Sequence, residues 1–342
     1  MKALLLSDIG KLEIVERPVP PLETNHVLVE VKACGICGSD IPRVYTDGAH
    51  RMPIVPGHEF SGIVKALAAD VDKRWINKRV GVFPLIPCMK CPQCKQKRYE
   101  MCENYSYLGS RTDGGFAEYV AVPSWNLIEL PDTVTFKQAA MLEPLAVVAH
   151  AIRKPAVKPN DEVTVIGLGA IGLLTTMLLK EVGVDIVYTI GNKSYQNEYA
   201  ATLGACPITP AESSSAVVFE CVGSEQSLQQ AINLAAPAGT IVLVGNPRQD
   251  MNLPKEIYWK ILRKQLKIIG SWNSIFTRDK NDDWHFILSI LSNQENKDFH
   301  PEIFITHEFS LSNIRDGFEL MRMKQQPYVK IMMVVDEEQG GI

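Results

Sequence analysis

The sequence predicts an α/β protein of two domains, one β-rich and one a doubly wound parallel sheet. Two patterns carry this prediction. Short Val/Ile/Leu-rich runs over Val27–Val31, Ser61–Leu67, Arg79–Phe83 and Phe116–Val122 are separated by Pro and Gly breaks, as short strands are. From Glu162 the grammar becomes strand, glycine turn, helix, strand. VTVIG, LGAIGLLTTMLLKEVG and VDIVYTI form one such unit, and VVFECVG, a helical SLQQAINLAAPAG and TIVLVG form another. Repeated strand–helix–strand units imply a parallel sheet with helices on both faces.

The remaining elements follow from local pattern. A helix is expected over Pro144–Ile152, others over Trp284–Leu291 and Ser312–Met323, and a last strand over Val329–Val334. The expected division is 1–148 for the β-rich domain, 149–274 for the parallel sheet, and a return to the first domain over 275–342. A chain of 342 residues is long enough for two domains. Its 46% hydrophobic and 22% charged residues suit a soluble globular protein, and its net charge of -4 offers no basic field for nucleic acid. The amino-terminal apolar run is too short for a signal peptide. No uncharged stretch reaches membrane-span length. A cytoplasmic protein with no nucleic-acid or membrane partner is expected.

Gly167-Leu168-Gly169-Ala170-Ile171-Gly172 follows a β-branched run and opens an apolar helix. The first glycine permits the tight turn, the second lets backbone approach a pyrophosphate, and the third permits close helix–strand packing. The helix N-terminus faces the anion. This is the Rossmann fingerprint, and its context is correct on both sides. An acid for the ribose hydroxyls is expected about 20 residues on. The second strand ends instead at Gly191-Asn192-Lys193-Ser194. A carboxylate there would repel a 2′-phosphate, whereas this sequence leaves room, charge and donors for one. The residues favour NADP over NAD, unless Lys193 is simply a solvated loop lysine.

Eight cysteines are present, and six are clustered. Cys88, Cys91, Cys94 and Cys102 supply four thiolates in one loop, the lobe 88–102, enough to close a tetrahedral shell around a structural zinc. An iron–sulfur cluster would need an electron-transfer partner that nothing else suggests. Cys34 and Cys37 form a CxxC without thioredoxin-like context, so Cys34 is read as packing. Cys37, His58, Glu59 and Glu143 are metal-ligating types, and a catalytic zinc keeps about three protein ligands plus an exchangeable position. Spacing alone does not join them.

The segments CGICGSD, PGHEFSG, the four-cysteine lobe, DGGFAEY, EPLAV and GLGAIG occur in the order found in the zinc-containing medium-chain dehydrogenases. The chain resembles that family over essentially its whole length, and its polyol dehydrogenase branch most closely. The resemblance implies a GroES-like catalytic domain and a Rossmann domain with the active site in the cleft. It implies a catalytic zinc on Cys37, His58 and Glu143, with Glu59 as a ligand or an exchanging neighbour, and so two zinc ions per chain. It makes Ser39 the hydroxyl that passes the substrate proton outward, and places Gly245 and Ser271 near the nicotinamide, with Val222 a further cofactor-binding residue. The implied reaction is NAD(P)-linked oxidation of a secondary alcohol in a polyol or a galactitol-1-phosphate-like substrate, by a homodimer or homotetramer. Arg43, His50 and Arg111 flank these motifs and suit a phosphate. A free-polyol dehydrogenase of the sorbitol type, a zinc-free quinone reductase and a non-catalytic nucleotide sensor are the competing readings. Two departures from the family stand out: Gly191 in place of the ribose-binding acid, and no room for the usual helix between Leu203 and Val217.

Overall fold

Apolar residues on alternate positions bury one face of a strand, and a strand buried on both faces reads as a continuous apolar run. His26–Ile36 is of the second kind, buried at nearly every position. It is the spine of a seven-stranded sheet in the computed structural model, which describes residues 1–208, 214–293 and 299–335. One edge of the spine pairs antiparallel with Glu59–Leu67, from Val27↔Leu67 to Gly35↔Glu59. Its other edge is shared by Tyr119–Pro123 and by the final strand Lys330–Val334, which runs antiparallel with Ile331 opposite Ile36. Arg79–Val82 and Leu127–Glu129 extend the sheet beyond Glu59–Leu67, and Ile305–Phe309 extends it beyond Lys330–Val334. This is the GroES-like β-rich domain.

The chain divides into Met1–Glu143 with Ile275–Ile342, and Pro144–Ser274. The division falls inside the helix Leu142–Arg153, so Glu143 belongs to the first unit. The returning segment is held by aromatic packing. Phe276 and Trp284 are fully buried, and their rings lie 5.0 and 5.6 Å from that of Phe83. Trp284 sits on the helix Asp283–Ser292, whose cap Asp282 accepts the His285, Thr277 and Arg278 backbone N–H groups. The last helix covers Ile314–Met323, after a short turn at Leu311–Asn313.

The second unit is a Rossmann domain. Its six strands are all parallel, in the spatial order Cys206–Pro207, Ile186–Ile190, Glu162–Ile166, Ser215–Glu220, Ala235–Leu243, Lys267–Gly270. The order reverses beside Glu162–Ile166, the point where doubly wound sheets bind their ligands. Within the buried sheet a hydroxyl pair, Thr164 with Ser215 at 2.6 Å, satisfies two polar groups at once. The expected helix over SLQQAINLAAPAG is shorter than its pattern. It spans Glu225–Leu234 and gives way to strand at Ala235. Pro237 lacks the N–H a helix needs, and Ala238 takes a positive φ of 61°. The shortened stretch from Leu203 to Val217 includes residues 209–213, which lie outside the described residues. Its described part before them carries only the two-residue strand Cys206–Pro207.

Phe276→Ala should cost about 3–5 kcal/mol of unfolding free energy, because it empties the centre of the aromatic cluster that anchors the returning segment. Equilibrium denaturation measures this, and a loss under about 1 kcal/mol would contradict the anchoring role.

Candidate metal and dinucleotide sites

Strand register assembles the first site. Cys37 directly follows the spine strand, and the pairing of Gly35 with Glu59 sets His58 and Glu59 beside it. The neighbouring pairing of Ile36 with Ile331 brings Lys330 to the same sheet end. The Sγ of Cys37, a ring nitrogen of His58 and a carboxylate oxygen of Glu59 all lie within 4.8 Å of one another. Glu143, in the first turn of its helix, stands next to this trio and outside that set. Ser39 donates its hydroxyl to Cys37 Sγ at 3.2 Å. Cys34 is buried in the hydrophobic core.

The trio collects negative charge in a buried place. Glu59 is ion-paired with Lys330, and the two side chains are 2% and 3% exposed. The Lys330 ammonium also donates to the Ile36 carbonyl at 3.1 Å. Gly35 lies directly beneath this pair. A Cβ there would meet Glu59 Oε2 and come within 2.8 Å of Lys330 Cε, so only glycine leaves the pair its space. On the other side Asp40 faces His58 Nδ1 at 3.5 Å, accepts the Cys37 backbone N–H at 3.0 Å and pairs with Arg43. Burial would raise the Asp40 pKa, but His58 and then Arg43 hold it below the usual range. Burial would likewise lower His58, yet Asp40 and Cys37 hold its imidazole well above its usual value. Burial pushes Glu143 up to about 7, aided by Glu59 and opposed by His58 and Lys330. A thiol, an imidazole and a carboxylate packed this closely could hold a metal ion between them. The donor set of sulfur, nitrogen and oxygen fits zinc.

The four-cysteine lobe meets a stricter geometric test. Cys88 Sγ lies 4.0 Å from Cys94 Sγ, and Cys91 Sγ 4.0 Å from Cys102 Sγ. That is far from a disulfide bond length and close to the ~3.8 Å edge of a tetrahedron with ~2.3 Å zinc–sulfur bonds. Backbone N–H groups from Cys94 and Glu103 lower the Cys91 thiol to about 6, readying it as a thiolate.

Arg43 and Arg111 both come within electrostatic reach of His50. Burial first, then the charges of Arg111 and Arg43, hold His50 below its usual pKa. Arg111 stacks over Tyr105 at 4.6 Å, and its Nε is buried without a hydrogen-bond partner. Arg43 is already engaged by Asp40.

In the Rossmann unit the glycine turn has the three expected properties. Gly167 has a φ of +89°. A Cβ on Gly172 would run into the Gly167 carbonyl, whereas Gly169 faces open space where a ligand can approach. Gly169 caps the helix Ala170–Glu181 with no side-chain bond, so the first N–H groups, from Ala170 and Ile171 on, remain for an anion. Val222, Gly245 and Ser271 sit just past the carboxyl ends of neighbouring strands. Glu220 fastens these turns. Its carboxylate accepts the Val222 and Gly223 N–H groups, and its carbonyl accepts those of Val244 and Gly245. Ser271 Oγ is buried without a partner. Gly191, Asn192 and Lys193 follow the strand Ile186–Ile190. A Cβ on Gly191 would lie 2.6 Å from Asn197 Oδ1 and 2.8 Å from Leu168 Cδ1, so the room expected there is partly taken by two side-chain ends, which a larger residue would have to displace. Lys193 reaches the Tyr195 hydroxyl at 3.4 Å.

Four contributors are missed by sequence reasoning: Lys330, Asp40, Tyr107 and Glu220. Tyr107 donates its hydroxyl to Glu143 Oε1 at 3.2 Å. Lys330 and Glu220 leave one signal, a charge at the end of an apolar strand, and Asp40 lies in the CGICGSD segment itself.

Comparison with known proteins agrees with this architecture. Residues 23–132 match the alcohol dehydrogenase GroES-like domain, and 137–331 match the glucose dehydrogenase C-terminus. Galactitol 1-phosphate 5-dehydrogenase of Escherichia coli is 33% identical over 310 residues, 86% of this chain and 90% of that relative. The crystal structure of galactitol-1-phosphate dehydrogenase from Escherichia coli superposes with a TM-score of 0.89 at 29% identity, covering 98% of this chain and all of that one. A structure from Sinorhizobium meliloti, described as a zinc-binding dehydrogenase bound to NADP, gives 0.86 at 27% identity, covering 98% and 99% of the two chains. An Escherichia coli protein described as a short chain alcohol dehydrogenase, complexed with NADH, gives 0.88 at 29%, again covering 98% and 99%. The chain therefore belongs to the polyol dehydrogenase branch of the zinc-containing medium-chain dehydrogenases, a family of NAD(P)-dependent oxidoreductases.

Proposed function

We propose that this enzyme is a zinc-dependent dehydrogenase that oxidises a secondary alcohol of a polyol phosphate to the ketose. The observation that carries the reading is the Cys37–His58–Glu59 cluster, with Arg43 and Arg111 each within electrostatic reach of His50 in the same domain. Cys37, His58 and Glu59, with Glu143 alongside, would hold the catalytic zinc. Cys88, Cys91, Cys94 and Cys102 would hold a structural one. A catalytic zinc supplies Lewis-acid polarisation that lets an alcohol ionise near neutral pH, and a nicotinamide accepts the hydride.

The protein's own groups do the rest. Ser39 Oγ sits beside Cys37 Sγ and can relay the alcohol proton outward. Glu143 is held beside the same site by the Tyr107 hydroxyl. Lys330 and Asp40 fix Glu59 and His58 in place. In the Rossmann domain Gly167, Gly169 and the helix start receive the pyrophosphate. Val222, Gly245 and Ser271 line the nicotinamide side, where the unpartnered Ser271 hydroxyl offers a hydrogen bond. The absent acid at Gly191, with the donors and charge of Asn192 and Lys193 beside it, favours NADP over NAD; the room expected at Gly191 is partly taken by the ends of Asn197 and Leu168.

The phosphate rests on Arg111 above all, whose guanidinium has donor capacity to spare. It is supported by the name of the Escherichia coli galactitol 1-phosphate relative. The commitment of Arg43 to Asp40 favours a second reading, a free polyol such as sorbitol. A homodimer is supported by the edge strand Lys267–Gly270, which ends its sheet with Ile268 exposed, near exposed Trp272. Tyr258 and Leu262, also exposed, lie one turn apart on Lys255–Lys264. Among the described residues no helix is long and apolar enough to cross a membrane. Eight free cysteines suit a reducing compartment such as the cytoplasm.

Initial rates over a panel of polyols and their phosphates, with both nucleotides, should show highest kcat/KM for a polyol phosphate with NADP. Preference for NAD would refute the role given to Gly191. Arg111→Met should raise KM for the phosphorylated substrate about 10-fold or more while barely changing that for its free polyol. An equal effect on both would remove Arg111 from phosphate binding. Lys330→Met leaves a buried carboxylate unpaired and should cost about 3–5 kcal/mol of stability, read from denaturation of chelator-treated protein. A neutral result would mean that Glu59 finds another partner. Ile268→Lys should shift sedimentation from dimer to monomer, and an unchanged profile would place the subunit contact elsewhere.

A further inference from the structure

Tyr107 lies at the metal-ligand cluster and carries no chemical step in the reaction as described above. Its hydroxyl donates to Glu143 Oε1 at 3.2 Å. Its ring meets the His58 imidazole edge-on, with centroids 5.7 Å apart and planes at 64°. It also packs edge-on with Tyr105, which carries the Arg111 guanidinium. The strand Ser106–Tyr107 is anchored by antiparallel pairing with Leu85–Ile86, so the tyrosine is presented from fixed backbone. The two carboxylates of the cluster therefore have different keepers. Glu59 is held by an ammonium, Lys330, and is one of the three groups whose donor atoms converge within 4.8 Å. Glu143 is held by a neutral phenol and stands outside that trio.

We propose that Tyr107 is a positioning residue for the metal centre, and that its hydroxyl sets how Glu143 is presented to the metal and to water bound there. This inference rests on the zinc reading above. A carboxylate with one oxygen tied to a phenol can offer the other in a single orientation. Without the phenol it is free to turn, or to compete with Glu59. Groups that orient metal ligands in this way commonly account for 10- to 100-fold in metal affinity.

The test uses the full-length enzyme, wild type and Tyr107→Phe, with cobalt(II) or zinc titrated against a competing chelator. The cobalt absorption bands distinguish a site with one thiolate from the four-thiolate lobe. Tyr107→Phe keeps the ring and removes only the hydroxyl. It should weaken metal binding at the Cys37 site about 10-fold or more and alter its cobalt spectrum, with binding at the lobe and KM for the nucleotide unchanged. In a Glu143→Gln background the same substitution should have little further effect, because the two act as one unit. Wild-type affinity and spectrum in Tyr107→Phe would overturn the proposal. So would an equal loss in the Glu143→Gln background, since the hydroxyl would then act by another route. Wild-type enzyme that binds metal only at the four-cysteine lobe would overturn the zinc reading itself, and this inference with it.

Discussion

A buried ion pair between Glu59 and Lys330 organises the catalytic domain's working end. A carboxylate and an ammonium this deeply buried are costly unless they meet, and removing either partner costs more than the pair itself contributes. Its demands reach outward. Gly35 must lack a side chain, the final strand must come back to the spine, and Ile36 must turn its carbonyl toward the ammonium. Three segments remote in sequence are thereby pinned at one sheet end. Cys37 and His58 inherit their positions from that arrangement.

The same economy governs the rest of the cluster. Each candidate ligand has a dedicated partner: His58 has Asp40, Glu59 has Lys330, Glu143 has Tyr107, and Cys37 has Ser39. Such partners fix orientation before any ligand binds, which is where a metal site gains its selectivity and an active site its preorganisation. The four-cysteine lobe needs less help. Its four sulfurs lie close in sequence, and the backbone of one short loop sets their spacing.

Legibility in the sequence followed the same division. The glycine turn, the parallel strands and the four-cysteine lobe are local, with their physics contained in a few consecutive residues. Cys37, His58 and Glu143 could be recognised as metal-binding types, but only strand register brings Cys37 and His58 together, and register is a long-range property. Lys330 shows only as a charge at the end of an apolar strand, and nothing near it in sequence says it will face Glu59. Glu220 shows in the same way, and its work, tying backbone N–H groups, cannot be read from that signal. The helix expected through Pro237 failed on a local rule, where an apolar pattern outweighed a residue that cannot continue a helix. At Gly191 the sequence showed a missing acid, and the structure sets the side-chain ends of Asn197 and Leu168 against that position, so a larger residue there needs them to move.

The account turns on whether Cys37 holds a metal that the reaction needs. Metal content per chain, measured on wild-type enzyme and Cys37→Ser alongside turnover, decides this most directly. Two zinc ions in the wild type, with loss of one and of turnover in a Cys37→Ser protein that remains folded, is the predicted result. A single zinc in the wild type, or a Cys37→Ser enzyme that keeps both its metal and its rate, would contradict it.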